Sequence, residues 1–202
     1  MSLPNTATLA PKHTRVQMQP ENIRAIIAGR KTQTRRLCKL PGIDNENLQD
    51  PALYAAALAI SPFGQVGDLL CFTEPYAGVN LPDTDDYTLL YCADTPGDED
   101  IKWTPARFMP KVKARLWAVI TTLRLERLQQ ITSEDALAEG IDKRQGSGYF
   151  AYRNYETDGQ PLLDAQASFG SMWRRINGAD SWSQNPVVWV IGYKVMTQPG
   201  QP

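Results

Sequence analysis

Histidine and cysteine, the residues that most often build zinc sites, are scarce: one histidine (His13) and three cysteines (Cys38, Cys71, Cys92) in 202 residues. The cysteines follow no metal-ligand spacing and an odd number cannot all pair, so no metal and no cofactor are expected. The chain also lacks any apolar run approaching the roughly 20 residues of a membrane helix. Its start shows no secretory pattern. Free thiols without an export signal point to a cytoplasmic protein with no membrane partner. Finally, not one Lys or Arg occurs from Pro41 to Asp100.

That last gap makes the charge segregated, although the net charge is only -1. Seven Lys or Arg residues face one acid, Glu21, between Arg15 and Lys39, and seven more from Lys102 to Arg127 face only Glu126. Such blocks can build a local basic face, or the acidic segment can fold back and cancel them. A non-specific DNA binder would carry a more positive total.

At this length one core with decorations is expected. Residues 1–14 are small and polar and read as an arm, 15–196 as a single domain, and 197–202 as a tail. Pro20 suits a first helical position, Ile23, Ile26 and Ile27 share a face, and Gly29 fits a left-handed stop. Residues 41–65 read as an insertion with an alanine-rich patch from Tyr54 to Ala59 that can form a short helix. Leu69 to Thr73 and Tyr87 to Ala93 are β-prone. Val112, Ala114, Leu116, Ala118 and Ile120 alternate onto one face of a strand half solvated at its start. Thr132 caps a short helix that Gly140 stops. Phe169, Met172, Trp173 and Ile176 form a helical stripe, which reads as core, with Gly178 as the stop. The aperiodic stretch 142–165 reads as a long loop, either functional or disordered. Val187 to Val195 is apolar on both faces, as in a central strand.

The stretch Gly29-Arg30-Lys31-Thr32-Gln33-Thr34-Arg35-Arg36 sets four cations and two hydroxyls directly after a helix stop. Alone it reads as a solvated basic turn; the sharper reading is an anion- or nucleotide-facing site. Gly67-Asp68-Leu69-Leu70, Glu74-Pro75-Tyr76-Ala77, Tyr91-Cys92-Ala93-Asp94, Trp103-Thr104-Pro105, Met109-Pro110, Glu139-Gly140 and Asn185 to Ile191 follow in order. From about Val16 to Val195 this order resembles the ASCH domain family in its phage and prophage versions. The resemblance implies an α+β fold: a small PUA-like β-barrel of mostly antiparallel strands with about three flanking helices and long loop insertions.

It also implies a cleft for RNA or a modified nucleoside. Some small members of the family are metal-independent amidohydrolases that deacylate acetylated cytidine with a lysine, a threonine and a glutamate. Those roles fall on Lys31, Thr34 and Glu139. A lysine sheltered from water can act as a base, a threonine hydroxyl as a nucleophile or water-orienting group, and a carboxylate as a proton shuttle. Arg30, Arg35 and Arg36 are candidates to hold a phosphate or oxyanion. Glu74 is a further ligand-binding candidate, and Trp103 and Trp189 can stack on a base. The plain alternatives are a surface charge for Glu139, a structural ion pair of Lys31 with Glu139 or Glu74, a strand threonine, and core tryptophans. The chain also departs from the larger phage-type members, which usually show a tryptophan and an arginine around the segment occupied here by Cys71, Phe72, Thr73 and Pro75. A non-catalytic binding module and a phage accessory protein that binds a host protein are the alternatives to an enzyme.

Overall fold

Strands with apolar residues on both faces need cover on both sides, and this sets the layout. The computed structural model describes residues 11–80, 87–95, 100–145, 150–157 and 160–196. Within them run β1 (His13–Gln17), α1 (Pro20–Ile27), β2 (Gln33–Leu37), α2 (Pro51–Ala59), β3 (Leu69–Thr73), β4 (Tyr76–Asn80) and β5 (Tyr87–Tyr91). Then come β6 (Leu116–Arg127), α3 (Ser133–Ala138), β7 (Lys143–Gln145), β8 (Phe150–Tyr152), α4 (Ala165–Asn177) and β9 (Val187–Met196). The fold is α+β. Five strands form one sheet in the order β1-β3-β6-β9-β2. Only the β1–β3 pair is parallel.

Alternation along β9 feeds two cores. Trp189, Ile191 and Tyr193 join Leu70 and Phe72 of β3, Ile120 of β6 and Ile23 and Ile26 of α1. Val188 and Val190 point the other way, against Ala136 of α3 and Phe169 and Trp173 of α4. Each such fully buried side chain contributes roughly 1.5–3 kcal/mol. The period-2 rule thus makes β9 an interior strand, as its composition implies.

The sheet is open in its hydrogen bonding. β1 and β2 are its edges, and among the described residues no ladder joins them. The edges nonetheless approach within one side chain: the Arg36 guanidinium on β2 donates to the Gln17 carbonyl at the end of β1 at 2.7 Å. Helix α1 spans the same gap in sequence, stopping at Gly29 with φ +70°.

Several expectations change. Ile27 is exposed and Ala25 takes its place in the core, because eight residues of helix turn Ile27 past the buried face. The run from Val112 is not strand at first. After Pro110, which fixes φ, Lys111–Lys113 make one 3₁₀ turn, Val112 is exposed, and β6 begins at Leu116. The insertion 41–65 is docked: Asp50 caps α2 by accepting from Ala52 and Leu53, and the Tyr54 hydroxyl accepts from the Leu125 amide of β6. A fourth helix is therefore present.

Among the described residues of 142–165, β7 and β8 pair antiparallel and Tyr152 bridges to Leu162. Strands of three residues are too short to show a period, which is why the pattern hid them. The expected arm lies mostly outside the described residues, as does the tail 197–202; His13 and Thr14 are already in β1. Among the described residues no helix is long and apolar enough to cross a membrane.

Candidate functional site

The first turn beyond α1 is pinned from three sides. The Arg30 and Lys31 amides donate to the Ala25 carbonyl, the Thr32 amide to Ala138, and the Tyr193 amide to Thr32. Lys31 and Glu139 therefore lie opposite each other as an isolated bridge between the start of β2 and the end of α3. The Lys31 ammonium donates to Glu139 Oε2 at 2.7 Å and to the Glu139 carbonyl at 2.8 Å, and both residues are 2% exposed. Burial lowers the Lys31 pKa from its ordinary value, with the Glu139 charge opposing the shift. Gly29, Arg30 and Thr32 stay exposed, but Lys31, Gln33, Thr34 and Arg35 are buried, so most of the basic octet is built into the fold rather than being a solvated turn.

Alternation along β2 then divides its two arginines. Arg35 faces α3 and α4. Its guanidinium donates to Glu139 Oε1 at 3.2 Å, to Asp135 Oδ2 at 2.7 Å and to Glu126 Oε1, and it sits over the Phe169 ring. Arg124 binds the same Asp135 and Glu126 carboxylates from outside. Arg36 faces the opposite way, toward β1, with Trp189 as its register partner on β9. Charge-assisted bonds of this kind offset the cost of burying the ions, but removing one partner leaves the others stranded.

Burial by itself would raise the Asp135 carboxyl, but the Arg35 hydrogen bond and the charges of Arg35 and Arg124 hold it below its ordinary 3.8. A carboxyl lowered by folding stabilises fully above the unfolded value. That contribution disappears as pH falls through the lower folded one. Urea midpoints followed from pH ~6 to ~2.5 should fall more steeply below about pH 4 in the wild type than in Asp135→Asn. Parallel curves would show that the network does not hold Asp135.

A cleft of about 930 Å³ opens between the sheet edges and α4. Lys31, Thr34, Arg35, Arg36, Glu139 and Trp189 all line it. Lys31 and Glu139 meet; Thr34, buried on the Arg36 face of β2, shares the cleft without a hydrogen bond to either among the described residues. Three expected ligand-binding residues are elsewhere. Glu74 is buried against Arg115, which bonds it at 2.9 Å and also holds Asp94. Burial raises the Glu74 pKa while Arg115 counters it. Arg30 donates to the Gly140 carbonyl and lies outside the lining, and so does Trp103, although Pro105, Ala106 and Arg107 just beyond it belong.

Other lining residues were absent from the sequence-based expectation. Arg15 comes from β1, Lys39 from just beyond β2, and Phe169, Met172, Trp173 and Ile176 from α4. The helical stripe read as core is core at Phe169 and Trp173, but Ile176 is half exposed at the cleft. A stripe continuing past the end of a core is the one signal that could have found it. The acidic segment does fold back, but onto Arg115 of the second basic block; the first block is met by Glu126, Asp135 and Glu139 instead. Comparison with family models, curated proteins and solved structures finds no match.

Proposed function

We propose that this cleft receives a nucleoside unit, free or within RNA, as the resemblance to ASCH domains implies. The observation that carries the reading is the composition of the lining. Cations from the sheet edges (Arg15, Arg36, Lys39) and Arg107 share one concavity with Phe63 and with Met172 and Ile176 of α4, while the one carboxylate among the described lining residues, Glu139, is bound by Lys31 and Arg35. An apolar wall suits a base and a cationic rim suits phosphate, the usual division in single-strand recognition. The approach of β1 to β2 through Arg36 is consistent with a strongly curled, PUA-like sheet.

Four rim or wall cations, each worth about 0.7 in the salt slope, give an expected log K against log salt slope of about −3 for a short single-stranded RNA. Titrating such an oligonucleotide from ~50 to ~300 mM salt tests this. If neither the oligonucleotide nor any nucleoside binds, the reading falls and a host protein becomes the occupant to seek.

A second reading draws on the Lys31–Glu139 pair, which lines the same cleft as Thr34 without bonding to it among the described residues. With its pKa lowered by burial, Lys31 gives up a proton more readily than a surface lysine, and Glu139 at 2.7 Å can receive or return one. Neutral Lys31 takes the proton of the Thr34 hydroxyl, or of a water that Thr34 aligns, as that oxygen attacks the acyl carbonyl. The C–N bond to the nucleobase breaks, the proton passes by way of Glu139 to the leaving amine, and a water hydrolyses any acyl-Thr34 ester to acetate. Acetate release from acetylated cytidine, abolished by Thr34→Ala while nucleoside binding persists, would carry hydrolysis. No release from the wild type would leave a binding module.

A further inference from the structure

The octet's cations are not equivalent, and the difference bears on the charge of the ligand. Lys31 is neutralised by Glu139, and Arg35 by Glu139, Asp135 and Glu126. Arg124 completes the cluster by binding Asp135 and Glu126. Including Arg36, which lies in the field of Glu139, four cations face three carboxylates, so one positive charge is left over. It resides on Arg36. No carboxylate lies within ion-pair distance of this guanidinium among the described residues. Its contacts there are one terminal nitrogen to the Gln17 carbonyl at 2.7 Å and the Met18 sulfur at 3.2 Å. Its Nε is shielded from solvent and has no hydrogen-bond partner. A guanidinium cannot relieve burial by releasing its proton, so it is stabilised by an anion.

From this we infer that Arg36 is the phosphate-reading residue of the cleft, and that the site selects phosphorylated nucleotides over neutral nucleosides. Arg15 and Lys39 stand on the same lining, so the charge around Arg36 stays positive toward the rim. Lys31 and Arg35, by contrast, have no charge to spare for a ligand. The inference rests on the nucleoside reading of the cleft and sharpens it to a substrate class.

The four common ribonucleosides and their 5′-monophosphates, titrated as matched pairs against the full chain by calorimetry with inorganic phosphate as a reference, test it. Each monophosphate is expected to bind tenfold or more tighter than its nucleoside, about the effect of a charge-assisted hydrogen bond. Arg36→Gln should abolish that preference by bringing each monophosphate down to the level of its nucleoside measured on the same variant, and Arg36→Lys should keep part of it. Thermal melts report whether these variants are folded. Should Arg36→Gln fail to fold, the exposed Lys39→Gln should still narrow the preference, and salt should narrow it in the wild type. Equal affinity of nucleoside and monophosphate in the wild type would overturn the inference but leave the cleft's nucleoside reading intact. A preference untouched by Arg36→Gln would do the same. If no member of any pair binds, both readings fall.

Discussion

Glu139→Ala is expected to lower stability by about 3–5 kcal/mol, because it leaves the buried Lys31 ammonium with no carboxylate and takes one of three from Arg35. The cost comes from stranding charges, not from losing a strong bond, so a double variant should recover much of it. Lys31→Met with Glu139→Gln removes both ions at similar volume while Arg35 keeps Glu126 and Asp135. Urea denaturation of the wild type, Lys31→Met, Glu139→Gln and the double variant forms a complete cycle, with Glu139→Ala measured beside it. A coupling near zero, or a Glu139→Ala cost below about 1 kcal/mol, would mean that water already reaches the pair and that burial does not tune Lys31. The cycle also guards the functional assays, since lost binding in Glu139→Ala alone cannot be told from lost folding.

Gly140→Ala should cost roughly 2–5 kcal/mol and disturb the same pair without touching its charges. Gly140 has φ +89°, and a Cβ there would lie 2.9 Å from the Cβ atoms of both Ala25 and Lys31. Backbone strain and a collision therefore add. Gly29 separates the two effects: its φ is +70°, but nothing lies within 4 Å of the position a Cβ would take. Gly29→Ala should show strain alone, about 1–2 kcal/mol. Equal losses at the two glycines would show that Lys31 yields freely and that its packing against α3 is not what positions it. Retained stability with weakened nucleotide binding in Gly140→Ala would place the shift in Lys31 itself.

The glycine pair also shows where local pattern stops being informative. That Gly29 ends a helix is legible from Pro20 and the isoleucines, because helix signals act over a few neighbouring residues. That Gly140 must lack a side chain to admit Lys31 is not, since the contact joins positions that meet only in the folded chain. Arg35 and Arg36 make the same point within one strand. Alternation says that they face opposite ways. It does not say which of them meets three carboxylates and which meets none among the described residues. Glu74 is a ligand-binding candidate in the sequence, but Arg115, from a distant segment, holds it instead.

By itself the sequence determined the helices α1, α3 and α4, the interior strand β9 and the unusual density of cations after Gly29. Each rests on periodicity, capping or composition within a short window. Only the tertiary structure decided that Lys31 meets Glu139 across 108 residues, that Arg35 is spent on an internal network, and that Arg36 has no ion-pair partner among the described residues. Pairing of buried charges depends on distance and on the desolvation of every group involved. Both are properties of the assembled core, and no short stretch of chain contains them.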